Sequence, residues 1–236
     1  MKLRRTPQGF TLIELLVVIS IIAVLAGLSM GPIQNALVRG QLIQTLSNAR
    51  QIYTATFNMY NDGASNSDSS LGWPGDLYNA TDSSAKITNL TDFVSRLVKN
   101  DYLKVGDLKI FTAPGISNYS GQADAATGAL STPFLDKNSA FKVYLVADTD
   151  QNNTLFLATK NYTYNNGTNS LNATYKPYGD KGFVVIRKGG DAAILRKSQA
   201  QSTGSTLLQQ VGNVPGVTDQ STPGTESATN CFQTQQ

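Results

Sequence analysis

The chain has 236 residues, 40% of them apolar and 15% charged, with 19 lysines and arginines against 16 aspartates and glutamates, no histidine and one cysteine. That length accommodates one ample core with an appendage, a single cysteine excludes intramolecular disulfides, and the missing histidine removes the commonest general base and the commonest zinc, copper and iron ligand. So low a charged fraction predicts a scaffold surfaced by Ser, Thr, Asn and Gln, and no enzyme.

The excess positive charge sits at the start. Lys2, Arg4 and Arg5 fall within residues 1–9, and without them 16 basic residues balance 16 acidic ones, so no nucleic-acid partner is expected. From Phe10 to Val38 the only charge is Glu14. A run of about 20 apolar residues crosses a hydrocarbon core of roughly 30 Å as a helix, and the basic leader stays cytoplasmic. A secretory signal peptide cut near Ala26-Gly27-Leu28-Ser29 fits less well. The apolar stretch is too long for one, a carboxylate lies early in it, and a glycine precedes Phe10. A lone Glu in a spanning helix costs roughly 2.5–3.5 kcal/mol on insertion scales, which marks it as functional and in need of a partner, here an amine.

The run Gly9-Phe10-Thr11-Leu12-Ile13-Glu14-Leu15-Leu16-Val17-Val18-Ile19 resembles, without a departure, the class III signal of type IV pilins and of the pseudopilins of type II secretion. The resemblance implies a prepilin peptidase that cuts between Gly9 and Phe10 and then N-methylates Phe10, leaving Glu14 as the fifth residue of the mature chain. It also implies inner-membrane anchoring, with the remainder in the periplasm. Physically, cleavage creates an ammonium group beside Glu14. Opposite charges at about 4 Å attract by roughly 4 kcal/mol at an effective dielectric near 20, so pairing Phe10 of one subunit with Glu14 of its neighbour relieves both and sets axial register. A heterologous contact of this kind does not close, and it generates a filament.

Farther along, Ile33, Leu37, Leu42, Leu46, Ala49, Tyr53, Phe57 and Tyr60 recur at spacings of three to five, which predicts an amphipathic continuation of the helix to about Tyr60. Gly31-Pro32 predicts a kink or a segment that melts when a filament forms, or equally a proline tolerated within a transmembrane helix, and Asn61-Asp62-Gly63 predicts the helix end. Trp73, amid Gly and Pro, reads as a plug over the core. A second helix is expected over Leu90 to Lys99, with Phe93, Leu97 and Val98 on one face. Strands are expected at Leu108 to Phe111, Ala140 to Val146, Thr154 to Thr159, Gly182 to Arg187 and Asp191 to Arg196, the last two joined by the Lys188-Gly189-Gly190-Asp191 turn. From Ser198 to Gln236, 22 of 39 residues are Ser, Thr, Gln or Asn, which predicts a flexible tail in which Cys231 is an incidental thiol.

The plan is α+β and resembles the pilin fold: a long N-terminal helix on a small antiparallel sheet. Its expected divisions are a cleaved leader (1–9), a transmembrane and filament-core helix (10–30), an amphipathic second half (31–60), an extracytoplasmic head (61–197) and the tail (198–236). Asp148, Asp150 and Asn152 place oxygens at alternate positions, as a calcium loop begins, but Asn153 and Thr159 stand where an EF-hand needs glycine and glutamate. A hairpin turn explains the same residues. The resemblance to major pseudopilins, which bind calcium in this region, keeps Asp148, Asp150 and Asn152 as candidate ligands. The expected function is a structural subunit of a type II secretion pseudopilus. Its partners are prepilin peptidase, identical or sister pseudopilin subunits, the inner-membrane secretion platform and the lipid bilayer. A type IV pilin for adhesion or DNA uptake, and a membrane-anchored extracytoplasmic protein, are the alternatives.

Overall fold

The computed structural model describes residues 10–124, 127–165, 169–217, 219 and 221–232. It divides into two units, one ending at Gly40 and one running from Gln41 onward. Helix α1 (Leu12–Asn66) is continuous through Gly31 and residue 32. In the first unit its large apolar side chains, from Leu12 to Leu37, are exposed.

In the second unit α1 buries Leu42, Thr45, Ala49, Ile52, Ala55, Thr56 and Met59, spacings of three and four that keep one stripe inward. The helix outlasts its expected end. Gly63 is not a stop signal: a Cβ there would lie 2.1 Å from the Leu71 carbonyl oxygen, so glycine allows the following loop to press on the helix. The true terminus is Ser67, whose φ of 54° is left-handed, with the Asp68 N–H donating back to the Gly63 carbonyl at 2.9 Å. That bond closes a Schellman-type cap.

After α2 (Pro74–Tyr78), helix α3 (Leu90–Lys99) matches expectation and buries Leu90, Phe93, Val94, Leu97 and Val98. Asn89 caps it by accepting from the Asp92 N–H at 2.9 Å. The expected strand at Leu108 to Phe111 is instead part of a 3-10 helix, Val105–Phe111. The Asp107 N–H donates to the Lys104 carbonyl at 2.9 Å, and the Asp107 carboxylate accepts from the Lys104 N–H at 3.3 Å. This local pairing of backbone groups competes with a strand.

Strands β1 (Phe141–Tyr144), β2 (Leu155–Thr159), β5 (Phe183–Arg187), β6 (Ala192–Leu195) and β7 (Cys231–Phe232) form an antiparallel sheet in the order β6-β5-β2-β1-β7. The pair β3 (Tyr162–Thr163) and β4 (Ser170–Leu171) stands apart. β1, β2 and β5 are buried at every position, so the sheet is covered on both faces. A register shift between Leu155 and Leu157 sends Leu155 and Ala158 to the same cluster although they are three apart. Phe156 instead joins the aromatic group of Tyr53 on α1 and Trp73, which lies 5.7 Å from it and is 1% exposed. Trp73 is therefore the core plug the sequence suggests.

The expected flexible tail over 198–236 is corrected where the structure describes it, over 198–217, 219 and 221–232; the rest of that expectation lies outside the described residues. Helices α4 (Lys197–Ala200) and α5 (Gly204–Gln210) bury Ala200, Leu207 and Leu208. Val211, Val214 and Cys231 join Tyr144, Phe183 and Val185 in one core cluster, and β7 pairs Cys231 with Tyr144 and Phe232 with Val143. The polar residues of this segment satisfy backbone groups inside the fold. The Asn213 side chain accepts from Val214 and Gly224 N–H at 2.9 Å each and donates to the Thr222 carbonyl at 3.1 Å. Arg187, at the end of β5, donates through Nε to the Val211 carbonyl at 3.1 Å and through its guanidinium to Gln210, covering the orphan carbonyls that end α5.

Candidate functional site

Two places gather the residues singled out from the sequence. At the start of α1, Gly9 lies outside the described residues, while Phe10 is 85% exposed. Thr11 and Glu14 form a reciprocal cap. The Glu14 carboxylate accepts from the Thr11 N–H at 2.8 Å and the Thr11 hydroxyl at 2.7 Å, and the Glu14 N–H donates to the Thr11 hydroxyl at 3.3 Å. The signal for this cap is the Thr-x-x-Glu spacing of Thr11 and Glu14, which hydrophobic periodicity alone does not reveal. A second effect adds to it, because a carboxylate in the first turn of a helix faces the positive end of the macrodipole. Glu14 thus begins the helix within its own chain, and among the described residues no ion pair to its carboxylate is formed. Beyond it, Leu15, Leu16, Ile19, Ile22 and Leu25 are more than half exposed and their apolar neighbours are exposed as well, an apolar surface long enough to cross a bilayer.

The second place is the turn at 147–153, between β1 and β2. The Asp148 carboxylate accepts from the Tyr60 hydroxyl at 2.5 Å. The Asp150 carboxylate accepts from the Ala147 N–H at 2.8 Å and the Gly216 N–H at 3.2 Å. Asn152 contributes its backbone carbonyl to the Gly189 N–H at 2.9 Å. These three residues share a turn, but their side-chain oxygens do not converge on a common centre. Lys188, which sequence reasoning treated only as part of a hairpin turn, sends its ammonium to the Asp148 and Asp150 carbonyls at 2.5 and 2.6 Å. Among the described residues no group of three or more Cys, Asp or Glu is placed to hold a metal ion. This donor set does not fit calcium, and no metal chemistry follows from it.

A family model described as the prokaryotic N-terminal methylation motif matches residues 4–30. The type IV major fimbrial protein FimA of Dichelobacter nodosus is 35% identical over 71 residues, which is 30% of this chain and 46% of the relative. A probable minor fimbrial protein of the same organism is 43% identical over 56 residues, 24% of this chain and 35% of the relative. The chain is type IV pilin-like. It spans less than half the length of these curated relatives. No solved structure matches it. The pilin-like fold is nonetheless plain in the described residues: a long N-terminal helix whose second part packs on a small antiparallel sheet.

Proposed function

We propose that this pilin-like chain is a structural subunit of a membrane-derived filament, and specifically of a type II secretion pseudopilus. Prepilin peptidase cuts between Gly9 and Phe10 and methylates Phe10. The apolar helix then holds the subunit in the inner membrane with the head in the periplasm, until the secretion platform adds it to identical or sister subunits. The observation that carries the reading is Glu14, a carboxylate within an exposed apolar helix start inside a matched methylation motif. Its own chain supplies hydrogen bonds through Thr11 but no counter-charge among the described residues, and the Phe10 ammonium of a neighbour supplies one.

The test separates the two jobs of Glu14. Glu14→Gln keeps an oxygen that accepts from the Thr11 N–H and loses the charge, whereas Glu14→Leu loses both. Leaving one partner of a buried ion pair unmatched costs about 3–5 kcal/mol. Both variants should be processed, membrane-bound and folded in the head, while filament yield under overexpression falls by more than an order of magnitude in each. Assembly of the Gln variant alone would reduce Glu14 to a helix cap. Normal assembly of both would end the registration mechanism.

A fimbrial pilin is the second reading, favoured by the names of the relatives. Deleting the gene decides between the two. Loss of a protein from the culture supernatant supports the pseudopilus, and loss of surface fibres with secretion intact supports the pilus.

A further inference from the structure

Three stretches of chain meet the first turns of α1 in the second unit. The Tyr178 hydroxyl donates to the Gln41 carbonyl at 3.0 Å and lies 2.5 Å from the Thr45 hydroxyl. Gly182, just before β5, packs between α1 and the end of β6: a Cβ on it would lie 3.1 Å from a Leu42 methyl carbon and 3.1 Å from the Leu195 carbonyl oxygen. Lys109 and Pro114 share a cavity of about 410 Å³ with Gln41, Gln44 and Thr45, and the Gly115 backbone lies against the Lys176 side chain.

Each of these stretches carries cations. Lys109, Lys176, Lys181, Arg196 and Lys197 are all exposed. Lys197 pairs with Asp180 at 2.9 Å, and among the described residues the other four form no salt bridge. Lys197, and after it Lys181, hold the Asp180 carboxyl below its ordinary value, so one carboxylate serves two ammonium groups. Asp107, on the same 3-10 helix as Lys109, is matched in charge by Lys104, whose N–H it accepts. From Gln41 onward the chain has 15 basic and 15 acidic residues, because Lys2, Arg4, Arg5, Arg39 and Glu14 precede it. A neutral unit thus gathers an excess of positive charge around one end of its helix.

That end has a particular address in the chain. Gln41 follows Val38, the last residue of the apolar run, by three residues, which is about 10 Å of chain at most. Exposed cations on long stems around Gln41 and Thr45 therefore reach the rim of any bilayer that the run spans. Side chains with no fixed partner, spread over several loops, suit a broad anionic surface better than one bound ion, and each such charge adds to the attraction. We propose that Lys109, Lys176, Lys181, Arg196 and Lys197 form a docking surface for anionic phospholipid headgroups, which lays this end of the second unit on the bilayer until the subunit is withdrawn into a filament. The proposal rests on the membrane-anchored reading above.

The test places the full chain in lipid nanodiscs of phosphatidylcholine, alone or with about 30% phosphatidylglycerol, at about 0.1 M salt, where the screening length is about 10 Å. An uncharged amine-acetylating reagent is followed at each lysine by mass spectrometry. Lys109, Lys176, Lys181 and Lys197 should react roughly threefold or more slowly in the anionic discs. Lys86 should not change: it is exposed and follows Ala85, which shares a cavity with Tyr60 and Ala64 toward the far end of α1. Sodium chloride at about 1 M, which shortens the screening length to about 3 Å, should erase the protection. Lys176→Glu with Lys181→Glu should remove it from Lys109 and Lys197 while the protein melts as wild type, since both substituted side chains are exposed and outside any salt bridge. Equal rates in the two kinds of disc overturn the proposal, and so does protection that survives the salt or the double reversal. Protection that is the same in both discs and grows with the number of chains per disc also overturns it, because the patch would then belong to a second copy. A chain that enters neither disc defeats the anchored reading itself, whereas one that enters both without protection defeats the docking surface alone.

Discussion

Cys231 has the chemistry of a residue far inside a fold. It is 1% exposed, pairs with Tyr144 across β7 and β1, and belongs to the main core cluster. Burial, reinforced by the nearby Glu226 carboxylate, pushes its thiol well above the ordinary value. Thiolate is the reactive form, so the native protein should label with maleimide at least tenfold more slowly than the same protein in denaturant. Labelling at equal rates would mean that this strand is detached in solution. The residue-scale signals in the sequence were uneven for a physical reason. Trp73 was legible because a large aromatic among Gly and Pro has few places to go. Glu14 stands out in the sequence because an isolated carboxylate in an apolar run is costly. Lys188 and Cys231 were not, since a buried lysine and a surface lysine look alike until their partners, here 40 and 87 residues earlier in the chain, are brought next to them.

Among the elements, the last segment depends most on a few contacts. Lys142 on β1 pairs with Glu226 at 2.7 Å with both side chains nearly buried, and donates to the Tyr162 carbonyl at 2.8 Å. The other Glu226 oxygen accepts from the Tyr144 hydroxyl at 2.7 Å. This pair holds the approach to β7 against β1. Breaking one partner of such a pair costs about 3–5 kcal/mol, while replacing both with apolar side chains of similar volume is often neutral. Glu226→Leu alone should therefore lower the denaturant midpoint strongly, and Lys142→Met with Glu226→Leu should recover most of the loss. Additive single effects would show that the pair carries no coupling. Element assignments from sequence succeeded where side-chain period and burial agree, as in α3, β1, β2, β5 and β6. They failed at Val105–Phe111, where Asp107 binds the local backbone, and over residues 198–232. There the apolar residues that enter the core are spread among Ser, Thr and Gln, and Asn213 performs inside the fold the hydrogen bonding that composition assigns to solvent.

At the scale of the whole molecule, a chain without histidine has its pH response displaced toward the alkaline side. Burial lowers the Lys160 ammonium to about 8, against an ordinary value of 10.5. Between those values the unfolded chain binds the extra proton, so stability should rise with pH, by an amount on the order of 3 kcal/mol at full extent. Higher up the sign reverses. Tyr102, desolvated and donating to Asp62, is raised to about 12, and burial also raises Tyr144, Tyr162 and Tyr164. Above about pH 10 the folded state holds protons that the unfolded state releases, and stability falls. A melting-point profile should climb from pH 8 to about 10 and then decline. Lys160→Met should lose the climb and keep the decline, and a variant that still climbs would remove Lys160 as the cause.

The pairing of β7 with β1 also sets an order in time. Val143 and Tyr144 leave the ribosome almost ninety residues before their partners Phe232 and Cys231. The hairpin of β5 and β6 can form as soon as it emerges, but the face closed by Leu207, Val211, Val214 and Cys231 stays open until residues 204–232 follow. A nascent head therefore waits, sheet exposed, for its own final stretch to be delivered, and long-range closure of this kind is slow. Translation stopped shortly after Arg196 would leave every strand but one in place and no lid over them. Such products would be sticky and readily degraded, so that synthesis through Phe232 becomes the checkpoint for a closed head.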